Sequence, residues 1–318
     1  MSTKAWGWII AIVAVVIVAF ALLSRPTLTP NIEQQESENS QPVTTPPVVE
    51  VTTVKLGAVL PLTGDGASYG LPVQKAMQLA VDEINANGGI GGKNIEAYFE
   101  DGKCEGKEAT AAMSKLISID KVSFVFGGVC SSETLAMAPI AEAAKVILMS
   151  PASTNPDITT AGDYIFRTAP SDAMAGKIAG LYAVNNMKAK KVAILSEQKD
   201  YAQGLRNVFK VFFTQNGGTI SADEVFESVD TDFRAQITKI KASKPDVIYI
   251  VPQTPATGIL IAKQLKQAGV KTPLLTAEVL MGRDVVKQNA KELEGLVGIE
   301  QYFDSTAPMT AKFIAAYK

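Results

Sequence analysis

The chain has 318 residues, 47% of them hydrophobic, with 30 Lys and Arg against 32 Asp and Glu, two Cys and no His. At about 100–200 residues per domain this is enough for two cores, and a net charge of −2 lacks the basic excess that would make a nucleic acid a principal partner. Without histidine there is no Ser-His-Asp triad, no His-ligated zinc or iron and no imidazole acid–base chemistry.

Residues 6–23 (WGWIIAIVAVVIVAFALL) carry no charge and follow Lys4. The run sits at the lower edge of a membrane span, with Trp6 and Trp8 placed for the headgroup level. The small-x-small triplet Ala19-Phe20-Ala21 also suits a cleaved signal peptide. An uncleaved anchor is the preferred reading, because the run continues through Leu22 and Leu23. No Cys follows it, so a lipoprotein anchor is excluded, and both remaining readings export the rest of the chain. Residues 24–53 hold five prolines among Thr, Ser, Gln and Glu without an apolar period, which reads as a disordered tether.

From residue 54 short apolar runs alternate with amphipathic stretches. Strands are expected at 54–60, 95–101, 122–128 and 146–150, and helices at 71–89, 106–119 and 132–145. The rhythm restarts after a seam at 168–171, with helices at 172–187, 202–216, 232–243 and 256–268 and strands at 191–197, 219–226, 246–251 and 273–276. This predicts an α/β chain of two doubly wound lobes in series, with the ligand cleft at the carboxyl ends of the strands.

Several residues stand at those strand ends. Cys104 and Cys130 follow neighbouring strands, and in an exported chain a disulfide between them is preferred over two buried thiols. In GGVCSSET (127–134), Ser131 or Ser132 could simply cap a helix. Beside the hydroxyl-rich SPAST loop (150–154), however, that helix start also suits a carboxylate or phosphate. Glu278 lies between apolar residues with no cation close in sequence, so it is either an exposed loop carboxylate or the partner of a ligand ammonium. Tyr69 and Tyr201 occupy matching positions after the first strand of each half and could wall the cleft. No P-loop and no GxGxxG is present, and nothing calls for a cofactor or a metal.

Taken in order, LGAVLPLTGDGASYG, INANGGIGGK, Cys104 with CSS (130–132), SPAST, EQKDYAQG and Glu278 resemble the type I periplasmic solute-binding proteins of the branched-chain amino acid class, which serve ABC importers. The resemblance runs from about Lys55 to the end. It implies lobe 1 at 54–169 plus a return over 297–318, lobe 2 at 170–296, closure on ligand, and a disulfide between the two cysteines. It further implies that Ser131, Ala152 and Thr154 hold an amino acid's carboxylate, Glu278 its ammonium, and Tyr69 and Tyr201 the walls.

This chain departs from the family pattern in two places. Pro252 and Gln253 stand where leucine, isoleucine or valine binders tend to carry an aromatic wall, which puts Gln253 among the expected ligand contacts. The chain also stops at FIAAYK (313–318) where the family continues, so lobe 1 is expected to be incomplete. The function implied is an extracytoplasmic, membrane-held receptor that delivers a small aliphatic amino acid to ABC permease subunits. An amide, urea or short-peptide receptor of the same fold and a sensory protein are the alternatives, and catalysis is not expected.

Overall fold

The structure, a computed structural model, describes residues 53–318. The apolar run 6–23 and the tether 24–52 lie outside the described residues. Among the described residues no helix is long and apolar enough to cross a membrane.

Two five-stranded parallel sheets carry the chain. The first contains β1 (Thr53–Leu60), β2 (Asn94–Asp101), β3 (Phe124–Gly127), β4 (Ile147–Ser150) and β5 (Ile165–Arg167), in the spatial order β2-β1-β3-β4-β5. The second contains β6 (Lys191–Glu197), β7 (Thr219–Phe226), β8 (Val247–Val251), β9 (Leu274–Thr276) and β10 (Val297–Gly298), in the order β10-β9-β8-β6-β7. Renumbered from its own first strand, the second sheet repeats the 2-1-3-4-5 order of the first. In such a sheet the chain reverses direction between strands 1 and 3, and the crevice at that switch point is where ligands bind.

Helices α1 (Ala67–Ala86), α2 (Gly106–Ser118) and α3 (Ser131–Ala144) connect the first four strands. Helix α4 (Asp172–Asn185) leads from β5 into the second half, where α5 (Asp200–Gln215), α6 (Arg234–Ser243) and α7 (Pro255–Gln267) connect β6 to β9. The strand period of two explains how the second sheet buries both faces. Val192, Ile194, Val247, Tyr249 and Val251 point to the core formed with α4 and α5, where Phe209 stacks on Tyr249 with ring centroids 4.2 Å apart. Their neighbours Ala193, Leu195, Ile248 and Ile250 point the other way, towards α6 and α7. In the first sheet, α2 and α3 cover one face through Met113, Leu116 and Met137.

The structure corrects several expected boundaries. Thr53 opens β1 rather than closing the tether, and α1 starts at Ala67, four residues before the expected start, with Pro72 inside its second turn. β5 is an additional strand, as short as β9, and the chain passes to the second sheet only after Arg167. The return to the first lobe, expected from residue 297, begins later: Val297 and Gly298 still pair with Leu275 and Thr276 of β9. Between β9 and β10 lie α8 (Arg283–Gln288) and α9 (Ala290–Leu293), and after β10 the helix α10 (Pro308–Tyr317) lies against α1, where the Tyr317 hydroxyl donates to the Pro72 carbonyl at 3.1 Å.

Cys104 and Cys130 are bonded, with Cα atoms 5.3 Å apart across a separation of 26 residues. Closing that loop should stabilise the fold by about 3–4 kcal/mol on the chain-entropy model. Mass analysis after alkylation should therefore find no free thiol, and reduction should lower the unfolding midpoint. Two alkylatable cysteines in protein from an oxidising compartment would contradict the bridge.

Candidate ligand-binding site

A cavity of about 540 Å³ opens at the carboxyl ends of both sheets. Tyr69, Ser131, Ala152, Thr154, Tyr201, Gln253 and Glu278 all lie on its wall. The repeated strand order explains this convergence. Tyr69 follows β1 and Tyr201 follows β6; Ser131 follows β3 and Gln253 follows β8; Ala152 and Thr154 follow β4 and Glu278 follows β9. Each lobe contributes the three strand ends that flank its switch point. Around the cavity the lobes touch through the Lys199–Glu105 ion pair (2.5 Å) and through Asn155 Nδ2, which donates to the Asp200 carbonyl at 2.6 Å.

One end of the cavity is built from hydroxyls and a helix N-terminus. Ser131 is the first residue of α3, and its Oγ accepts from the Asn155 amide at 3.2 Å, leaving its own proton for a ligand. Ser150 and Ser153 both donate to the Gly128 carbonyl, at 2.7 and 3.0 Å, and Ser153 shares a 2.8 Å hydrogen bond with Thr134. This buried network stitches the SPAST loop to the start of α3. The helix dipole and the Ser131 hydroxyl then present positive potential to the same part of the cavity, which suits a carboxylate.

Another part of the wall is acidic. Glu278 and Glu300 line the cavity, and among the described residues no Lys or Arg does. Burial pushes the Glu278 carboxyl above the usual range, with the Tyr201 hydroxyl acting in the other direction. Behind Thr154, Asp172 accepts from the Thr154 hydroxyl at 2.7 Å and is itself buried. Desolvation and the nearby Glu278 charge raise its pKa to about 7. The hydroxyls of Tyr69 and Tyr249 are shut off from water with no hydrogen-bond partner among the described residues. An ammonium group placed beside Glu278 would relieve this accumulation of negative charge.

Sequence reading missed three contributors. Glu133 is fully buried and accepts from the Val129, Cys130 and Cys104 amides, each at 3.0 Å, so it ties the two disulfide loops together. Its signal is a glutamate three residues after the residue that caps α3, the spacing of a capping box with Cys130 at the cap. Asp172 reads in sequence as an ordinary first-turn acid after Ser171, and Tyr249 as one more residue of an apolar strand.

The chain belongs to the periplasmic binding protein family, whose model matches residues 53–318. It is similar to an "amino acid binding protein" of Pseudomonas aeruginosa, 35% identical over 250 residues that make up 78% of this chain and 64% of that relative's length. Among solved structures it resembles the branched-chain amino acid transporter substrate binding protein LivJ of Streptococcus pneumoniae, determined in complex with isoleucine. That match has a TM-score of 0.73 and 34% identity, over 83% of this chain and 76% of LivJ. A solute binding protein of an ABC transporter from Rhodopseudomonas palustris, in complex with 3,4-dihydroxy benzoic acid, matches with a TM-score of 0.72 and 27% identity over 84% of this chain and 74% of that one. Family membership implies a place outside the cytoplasm, and these relatives are binding proteins.

Proposed function

We propose that the chain is the substrate-binding component of an ABC importer and takes a small α-amino acid of branched-chain size between its lobes. The observation that carries this reading is the polarity of one cavity: a hydroxyl-lined helix start on one wall and Glu278, without a neighbouring cation, on another. In this reading Ser131, Ala152 and Thr154 bind the carboxylate, Glu278 binds the ammonium, and Tyr69, Tyr201 and Gln253 enclose the rest. The names of the P. aeruginosa relative and of LivJ support an amino acid ligand. The two lobes close on it, and the closed form is what permease subunits recognise. Residues 6–23 export the chain and hold it at the membrane, with 24–52 as spacer.

The dihydroxybenzoate complex of the R. palustris neighbour supports a second reading, an aromatic acid, which would use the carboxylate end but give Glu278 no partner. A thermal-shift and calorimetric screen of the twenty amino acids and of benzoate-type acids on the full chain distinguishes the two. Stabilisation by one or a few small amino acids is expected. Stabilisation by aromatic acids alone would overturn the proposal.

A further inference from the structure

The amino acid reading leaves the ligand's side chain open, and an inference resting on that reading addresses it. Gln253 is only 8% exposed and lines the cavity, yet its amide oxygen has no hydrogen-bond partner among the described residues. Its side-chain nitrogen faces only the Cys130 sulfur of the disulfide, at 3.9 Å, and sulfur is a weak acceptor. Turning the amide over exchanges which polar atom is orphaned and satisfies neither. The residue is nonetheless held in place: its backbone amide donates to Glu197 Oε2 at 2.7 Å, and Glu197 Oε1 accepts from Ser228 at 2.7 Å. Tyr69, from the other lobe, lines the same cavity, and its hydroxyl is also without a partner among the described residues.

A buried polar group that is positioned but unpaired discriminates strongly between ligands, because an apolar ligand leaves it unpaired and dry. Tyr69 has a proton to donate, and the Gln253 amide can accept or donate. A hydroxyl or a carboxamide does both in return, whereas a methyl group does neither. We propose that Gln253, together with Tyr69, selects an amino acid bearing a hydroxyl or carboxamide side chain over its aliphatic isostere.

Threonine against valine and asparagine against leucine are the probes, since each pair keeps size and shape while exchanging polar for apolar atoms. Calorimetry on the full chain should show the polar member of whichever pair binds to be held at least about tenfold more tightly. Gln253→Leu, with Gln253→Met as the second variant should the first not fold, should lose or invert that preference. The unfolding midpoint without ligand should not fall, because the change removes an unsatisfied buried amide. A parent protein that holds valine and leucine at least as tightly as threonine and asparagine overturns the inference, as does a variant that keeps the polar preference. Failure of every amino acid to bind would instead overturn the amino acid reading itself.

Discussion

Glu278→Ala should bind its amino acid about thirtyfold to several-thousandfold more weakly than the parent while unfolding at nearly the same temperature without ligand. Of the two carboxylates on the cavity wall, Glu278 is partly buried and Glu300 is exposed, so Glu278 is the counter-charge that a bound ammonium meets inside the site. Removing it leaves the ligand's charge desolvated and unpaired, a cost of about 2–5 kcal/mol, and each 1.4 kcal/mol is about tenfold in affinity. The free protein loses a carboxylate that burial already disfavours in its charged form, so its stability does not depend on that charge. Glu278→Gln keeps the shape and one acceptor but not the charge. It should bind the amino acid poorly and lose less affinity for an analogue without the ammonium. Parent-like affinity in both variants, measured by calorimetry, would remove Glu278 from the site.

The largest expected loss of stability is at Glu133. Its carboxylate takes three buried backbone amides from two loops, and a Cβ on Gly102 or Gly128 would collide with its side chain. Cys104, one of the donors, sits at a φ of 61°, in the left-handed region that a non-glycine residue keeps only when it is held there. Glu133→Ala orphans three buried donors and leaves a void, which should cost about 3–5 kcal/mol. At about 2–4 °C per kcal/mol for a chain of this size, the midpoint should fall by roughly 6–20 °C. A fall of under 2 °C would show that the amides find other partners.

Glu133 also predicts a pH dependence. Burial raises its pKa from 4.5 to about 7 despite the three amides, and Asp172 rises from 3.8 to about 7. A carboxyl whose folded pKa is raised contributes stability that is full below its unfolded pKa and is lost as pH rises through the folded value. The depressed carboxyls, Asp101, Asp223, Asp232, Asp246 and Asp304, contribute stability that is present above their unfolded pKa and is lost only as pH falls through their lower folded values, outside the pH 5 to 8 window. With no histidine in the chain, no imidazole titrates between pH 5 and 8. The ligand-free protein should therefore unfold at a higher temperature at pH 5 than at pH 8, and the reverse order would contradict the buried state of these two acids.

What the sequence made legible follows from burial. Strands covered on both faces read as continuous apolar runs such as DVIYIV, and each was placed to within about two residues at either end. Because the strand ends converge, the residues just after them read in sequence as members of one site. The three-residue β5 and the short α8, α9 and β10 carry too few periods to show a pattern. Glu133 was hidden because a cysteine, not Ser or Thr, occupies the cap that marks its capping box. Asp172 meets Thr154 only through packing across 18 residues of chain, and no local pattern encodes that contact.

The central claim is that one cavity reads both charged ends of an α-amino acid. Its most direct test is a calorimetric titration of the full chain with the bound amino acid and with the same molecule lacking its amine. The deaminated acid should bind at least about thirtyfold more weakly, the loss matching that of Glu278→Ala. Equal or tighter binding of the deaminated acid would contradict it and leave a receptor for simple carboxylates.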